Sequence, residues 1–280
     1  MTAQAEACTP SAVIDRVSLV LDAFDGPGRL SLAQVVRRTG LPRSSAHRLL
    51  ERLVHLRWLR RQGRDYELGM RLVELGSLAV HQDRLHRAAQ PFLHELHRAT
   101  GLVVHLAVLD GVDVVYLEKI AGAFGAAVPS RVGGRQPAHC TAVGKALLAF
   151  SEPSRLDDFD VDLLIRKTKY SVSTRRQLAD ELKAIRARGV AYERGESVAG
   201  FGCVAAPIGD IGQAAEPIAA VSLCGPLDRM AFDHRLAGPV RTTALGIWRN
   251  FDDGGGIRVQ PILQQPRPLH PTPVRTLQYA

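Results

Sequence analysis

The sequence predicts an α+β chain: an N-terminal winged helix-turn-helix domain followed by a domain built on an antiparallel sheet. Three observations predict it. Residues 31–54 carry two helix-period apolar patterns separated by a tight Gly-containing turn. A short basic hairpin pattern follows at once. Residues 102–120 then change to two β-rich runs joined by Asp110-Gly111, a strong hairpin signal. At 280 residues the chain is long enough to bury two cores. A hydrophobic content of 46% with 5% aromatic residues separates it from disordered and fibrous chains.

In chain order, Val13, Val17, Val20, Leu21 and Phe24 fall on one helical face of 11–24, and Asp25-Gly26-Pro27-Gly28 stops that helix. Ser31 and Gln34 have the spacing of a capping box, with Leu32, Val35 and Val36 on the buried side and a stop at Gly40. After Leu41-Pro42 the apolar positions Ala46, Leu49, Leu50, Leu53 and Val54 define a third helix, which leaves Arg43, Ser44, His47, Arg48 and Glu51 on or near its outer side. Trp58–Arg61 and Tyr66–Leu68 form two strands around the turn 62–65, the wing.

Residues 69–99 return to a helical pattern, closed by Gly101. Strands are expected at 102–120, near 190–193, at 201–208 and at 217–224. A further apolar run covers about 124–132 and ends at Gly133-Gly134. Helices are expected at 140–150, at 174–188 between a Ser173 or Thr174 cap and Gly189, and from Asp228 to about 250. An antiparallel sheet with flanking helices is the simplest assembly of these. The domain limits are therefore 9–69 for the winged helix, 70–84 for a linker helix, 85–252 for the second domain and 253–280 for a Pro-rich tail expected to be disordered.

The formal charge of +8 is almost entirely local. Residues 29–64 hold ten arginines against the single acid Glu51, so the remainder of the chain is close to neutral. Charge gathered in one segment is the footprint of a polyanionic partner. A solvated arginine face is the alternative reading, but here the basic helix is the second of a tight pair and a basic hairpin follows. Double-stranded operator DNA is the expected partner. Ser31, Gln34, Arg43, Ser44, Ser45, His47 and Arg48 would contact it, and Arg64 in the wing would reach backbone or minor groove.

Four scattered cysteines without a C-x-x-C pair indicate neither a metal site nor a disulfide framework, and point to a reducing cytoplasm. No cofactor and no metal is called for. The sequence shows no signal-peptide pattern and no apolar run of the ~18 residues that spans a bilayer, so no membrane role is expected.

Catalytic patterns are weak. Gly200-Phe201-Gly202-Cys203-Val204-Ala205 formally fits G-x-G-x-x-A, but Pro207 and Gly209-Asp210 stand where a helix must begin. Gly195-Glu196-Ser197-Val198-Ala199 misses the last glycine of the hydrolase elbow. His139 and Cys140 are neighbours whose side chains diverge. His94 and His97 share a helix face without an evident third ligand. The chain is expected not to be an enzyme; the rival reading is a small-molecule-binding enzyme with a DNA-tethering domain.

With these residues in view the chain resembles the IclR (isocitrate lyase regulator) family of bacterial transcription factors. SLAQVVRRTGLPRSSAHRLLERLVHLRWLRR and RDYELGMRLVELGSLA resemble its winged helix and linker, while PAHCTAVGKALLAF, LADELKAIRARGVAYERGE, GFGCVAAPIGD and EPIAAVSLCGP resemble its sensing domain, covering about 11–250 in order. The resemblance implies a GAF-like C-terminal fold and a homodimer or homotetramer on a partly palindromic operator. It also implies a small-molecule effector, an organic acid or similar metabolite, that changes operator affinity. Its pocket residues correspond to Gly125, Val128, Gln136, Ala142, Val143, Glu193, Cys203, Ser222 and Cys224. Ala142 and Val143 sit near a predicted helix start, where free N–H groups favour an anion. Gln136 is polar where an apolar residue can stand, and Cys224 stands where a hydroxyl can. Glu193 would repel an anion unless protonated or directed at a ligand hydroxyl, which brings hydroxylated or neutral effectors into range.

Overall fold

The computed structural model of the chain describes residues 12–26, 28–123, 125–157, 159, 164–211 and 216–252. The expected tail at 253–280 and Cys8 lie outside the described residues. Contacts divide the chain after Gln82 into two units, within the segment expected to be the linker.

In the first unit, α1 (Val13–Asp22) precedes the helix pair α2 (Leu32–Thr39) and α3 (Arg43–His55). The expected capping box opens α2: Ser31 N donates to Gln34 Oε1 at 2.7 Å and Gln34 N to Ser31 Oγ at 3.4 Å. Gly40 closes the helix in the left-handed region at φ 68°, a conformation that disfavours a side chain, and Pro42 then starts α3. The wing is β2 (Leu59–Gln62) paired antiparallel with β3 (Asp65–Leu68). Sequence periodicity missed a third strand, β1 (Leu30–Ser31), which pairs with β3. Two residues are too few to show an alternation. Val20, Phe24, Leu30, Val35, Leu41, Ala46, Leu50, Leu53, Leu59 and Tyr66 make the core. The helix α4 (Met70–Gln82) completes the unit and buries none of its residues.

The second unit starts with α5 (Arg84–Thr100), capped by Asp83, so the helical stretch is the expected pair, MRLVELGSLAVHQ and then the segment from Asp83. Six strands follow: β4 (Val103–Asp110), β5 (Asp113–Ile120), β6 (Arg135–Pro137), β7 (Ala191–Arg194), β8 (Phe201–Ile208) and β9 (Ala219–Pro226). They form one antiparallel sheet in the order β6-β5-β4-β9-β8-β7. Of the apolar run at 124–132, the described residues 125–132 are not a strand; the edge strand comes after them, at Arg135–Pro137. Three helices complete the unit: α6 (Ala142–Phe150), α7 (Arg175–Arg188) and α8 (His234–Asp252). The expected start of the last helix at Asp228 is a short 3-10 turn, Leu227–Arg229, with α8 beginning five residues later.

Strand alternation sorts this sheet into two faces. Val104, Leu106, Val108, Val204, Ala206, Val221 and Leu223 pack with Leu85, Ala89, Leu93 and Leu96 of α5 and with Val240, Ala244 and Ile247 of α8. The opposite parity brings Ala107, Val114, Tyr116, Ala191, Ala205 and Ala220 against α6 and α7. The alanines bring α6 close to the sheet. Gly144 brings it equally close to the preceding turn, because a Cβ there would overlap the Ala138 backbone.

Candidate DNA-contact face and effector cavity

The outer side of α3 is the most basic face of the first unit. Arg43, Ser44, His47 and Arg48 are exposed and line one cleft with Ser31, Leu32, Ala33, Arg61, Arg64 and Tyr66. Six expected DNA residues therefore share a surface: Ser31, Arg43, Ser44, His47, Arg48 and Arg64. Ser45 is half-buried and Gln34 is engaged in the capping box; neither lines the cleft.

The arginines divide into two groups. Glu67, buried on β3, holds both Arg29 and Arg60 in ion pairs. Arg57 pairs with Glu74 at 2.6 Å. These acids lie just beyond the basic segment, so the local excess is smaller than the count over 29–64. Glu51 Oε1 accepts from Arg61 at 3.2 Å and from Tyr66 Oη at 3.0 Å, which ties the wing to α3. Among the described residues Arg43, Arg48 and Arg64 have no acidic partner, and their charge remains available to phosphate.

In the second unit the face that packs on α6 continues into a small, partly open cavity of about 40 Å³. Eight of the nine expected effector residues line it: Val128, Gln136, Ala142, Val143, Glu193, Cys203, Ser222 and Cys224. Gly125 does not. Its carbonyl accepts from Lys119 Nζ at 3.0 Å, and the same ammonium binds the carbonyls of Val128 at 2.8 Å and Ser130 at 2.7 Å. Lys119 thereby fixes the loop that forms one wall.

Register explains why the strand residues meet. Glu193 faces Cys203, Cys203 faces Cys224 and Cys224 faces Val103, a row across β7, β8, β9 and β4. His105 faces Ser222 in the next row. From the helix side, Thr141 Oγ1 caps Gly144 N at 3.1 Å, so the N–H groups of Ala142 and Val143 are left in the first turn of α6 without intrahelical partners.

Burial shifts several titratable groups around the cavity. Burial lowers His105 to about 3, and its Nε2 lies 2.7 Å from Ser130 Oγ. Burial raises Glu193 to about 7, against the backbone N–H groups of Glu196 and Ser197 that its Oε1 accepts. Tyr116 is pushed well above the usual phenol range, chiefly by burial. Among the described residues no lysine or arginine lines the cavity.

The chain matches two family profiles in tandem: the IclR helix-turn-helix domain over residues 13–63, and the bacterial transcriptional regulator IclR C-terminal domain over 77–249. The chain belongs to the IclR family. This IclR-family regulator is 33% identical to the HTH-type transcriptional regulator XynR of Escherichia coli over 204 residues, 70% of this chain and 79% of XynR. It is 27% identical to KdgR of Dickeya chrysanthemi over 247 residues, 86% of this chain and 79% of that one. Among solved structures, an IclR homologue from Microbacterium hydrocarbonoxydans complexed with 4-hydroxybenzoate superposes with a TM-score of 0.75 at 28% identity, covering 86% of this chain and all of the other. Thermotoga maritima IclR gives 0.67 at 27% identity, covering 85% of this chain and 98% of the other.

As an IclR-family regulator the chain binds DNA through its helix-turn-helix domain, and a small-molecule effector in its C-terminal domain modulates that binding. The enzyme alternative finds no support, since the relatives are named as transcriptional regulators. The one thiol-imidazole neighbour pair is occupied structurally: His139 Nε2 meets Ile165 O at 2.9 Å, and Cys140 Sγ donates to Pro137 O at 3.5 Å, with its thiol pushed up to about 12 by burial. His97 Nδ1 meets Leu102 O at 2.7 Å and His94 Nε2 meets Gln90 Oε1 at 3.1 Å, both structural contacts. Sequence reasoning missed His105, Tyr116, Ser130, Thr141 and Phe201 in the cavity wall. Parity within β4 and β5 contained the signal for the first two, but nothing local says which face of that hairpin is the ligand side.

Proposed function

We propose that the regulator contacts operator DNA through Arg43, Ser44, His47 and Arg48 of α3 and Arg64 of the wing, and that the effector occupies the cavity under α6. Ser31 and the first N–H groups of α2 are placed to take a phosphate. Gln34 and Ser45 would position rather than read. The observation that carries the effector assignment is the cavity itself, where Tyr116 and Ser222, two otherwise buried residues, present hydroxyl-bearing side chains beside the first turn of α6. A few convergent polar groups in an apolar cavity are the usual means of orienting a small ligand.

The effector would place an acid or carbonyl oxygen at the N–H groups of Ala142 and Val143 and a hydroxyl at Glu193 or Tyr116. A hydroxylated organic acid fits that polarity, and 4-hydroxybenzoate, bound by the Microbacterium hydrocarbonoxydans homologue, is the natural first compound to test. The functional division follows the expected limits, 9–69, 70–84 and 85–252. The unit acts as a homodimer, with tetramers as the higher assembly: Met70, Val73 and Leu78 of α4 are 61, 62 and 50% exposed, and a second copy would cover them. We place it in the cytoplasm; no helix among the described residues is long and apolar enough to cross a membrane.

The test is fluorescence anisotropy of the full chain on DNA from immediately upstream of its own coding region, against a scrambled duplex over a salt series. Sequence-selective binding that weakens steeply with salt supports the DNA assignment. A thermal-shift screen of hydroxylated aromatic acids, benzoate and polyols supports the effector assignment if a hit stabilises wild type but not a Ser222→Ala or Tyr116→Phe variant. A ligand at 100 times its Kd adds about 2.7 kcal/mol.

A further inference from the structure

Cys203 and Cys224 are directly opposed on β8 and β9. Opposed residues of antiparallel strands project on the same face with Cα atoms about 4.5 or 5.5 Å apart, inside the ~4.4 to ~6.8 Å range that a disulfide spans. Both side chains line the effector cavity and pack in one cluster, with Cys224 buried and Cys203 partly accessible. The next residue in the same row is Glu193, whose carboxylate adjoins the Cys203 thiol. No other described cysteine shares this geometry: Cys140 is buried in the turn before α6 and spends its thiol on Pro137 O.

We propose that Cys203 and Cys224 are a site of reversible disulfide formation that gives this regulator a second, oxidative input through the wall of its effector cavity. Hydroperoxides are the class of oxidant that fits. Glu193 takes the proton of Cys203, and the thiolate attacks the terminal oxygen of the hydroperoxide. The O–O bond breaks, and the departing alkoxide recovers the proton as an alcohol. The sulfenic acid left on Cys203 then meets Cys224. An S–S bond forms, the S–O bond breaks, and the oxygen leaves as water with the Cys224 hydrogen.

At rest the pair is quiet. Contact with Cys224 and burial hold Cys203 protonated well above the usual thiol range, so attack needs the adjoining base. Closing the bond replaces two hydrogen-bonding thiols with an apolar bridge on the sheet wall that also carries Ser222 and Tyr116.

The test treats the full chain, bound to its operator and free, with hydrogen peroxide. Remaining thiols are then alkylated and peptides mapped without reduction. The expected result is a cross-linked peptide joining Cys203 to Cys224, a fall from four to two thiols on titration in denaturant, and full recovery with dithiothreitol. A Cys8→Ser/Cys140→Ser variant should behave as wild type, and Cys224→Ser should lose the cross-link. Four unreacted thiols, or a cross-link through Cys140 or Cys8, overturns the site. A clean Cys203–Cys224 cross-link with operator affinity identical before and after oxidation overturns the regulatory role.

Discussion

Lys145 Nζ lies 2.6 Å from Glu196 Oε1, and the lysine is fully buried. The pair joins α6, whose first turn borders the effector cavity, to the β7–β8 turn that carries Ser197 and Val198 in the cavity wall. Glu196 N donates in turn to Glu193, so the ion pair backs the carboxylate that faces Cys203. Among the described residues Glu196 Oε2 has no hydrogen-bond partner, which makes the pair a costly interior feature; Glu181 Oε1 lies 3.7 Å from the same ammonium.

Lys145→Met is expected to destabilise the folded chain by about 3 kcal/mol, because it leaves a buried carboxyl without its cation. Glu196 would take up a proton in that variant, which limits the loss. Adding Glu196→Leu should recover most of it, since an apolar pair removes both desolvation costs. Urea unfolding of the three proteins measures this. Equal loss in the single and double variants would contradict it.

His105 and Glu193 give opposite pH dependence. His105 falls from an unfolded value near 6.5 to about 3, so the unfolded chain binds the extra proton between these limits and stability rises with pH. Glu193 rises from near 4.5 to about 7, so the folded chain keeps the extra proton and stability falls as pH rises through that window. Each slope is about 1.4 kcal/mol per pH unit, and over pH 4.5–6.5 they cancel. Glu193→Gln should expose the rising slope and His105→Asn the falling one in unfolding series across that range.

Much of this was legible in the sequence, and the division is physical. Helix periodicity with Ser31, Gly40 and Pro42 as punctuation gave α2 and α3 because those signals are local. β-rich composition placed Glu193, Cys203, Ser222 and Cys224 on or at the ends of strands, and resemblance alone assigned them to the ligand pocket. Lys145–Glu196 was invisible, as its partners stand 51 residues apart. The 124–132 run looked extended because it is apolar; in the structure its backbone carbonyls turn in to Lys119, a tertiary contact that composition does not encode.

On DNA, Arg43→Ala and Arg48→Ala should each cost about 1–3 kcal/mol if they read bases, or lower the salt slope by about 1 if they hold phosphates. Arg60→Ala should change the slope less, because Arg60 shares Glu67 with Arg29 and that carboxylate offsets part of their charge. Anisotropy titrations between low and moderate salt discriminate the two groups, and an Arg60 effect equal to that of Arg48 would contradict the division.

Gly144→Ala should destabilise the chain by about 1–3 kcal/mol, since the added methyl must displace the Ala138 backbone. The same displacement moves the N–H groups of Ala142 and Val143, so effector affinity should fall more than stability alone accounts for. Calorimetric titration with whichever compound stabilises wild type is the measurement.

The cavity holds about 40 Å³, whereas a cavity that admits benzene measures roughly 150 Å³. An aromatic effector therefore waits on a rearrangement of the walls before it is seated. In a stopped-flow experiment the observed rate should level off at high ligand concentration, at the frequency with which the protein opens. Effector affinity then carries a factor for the open population, and a substitution that loosens the Lys119 staple would tighten binding without touching the ligand.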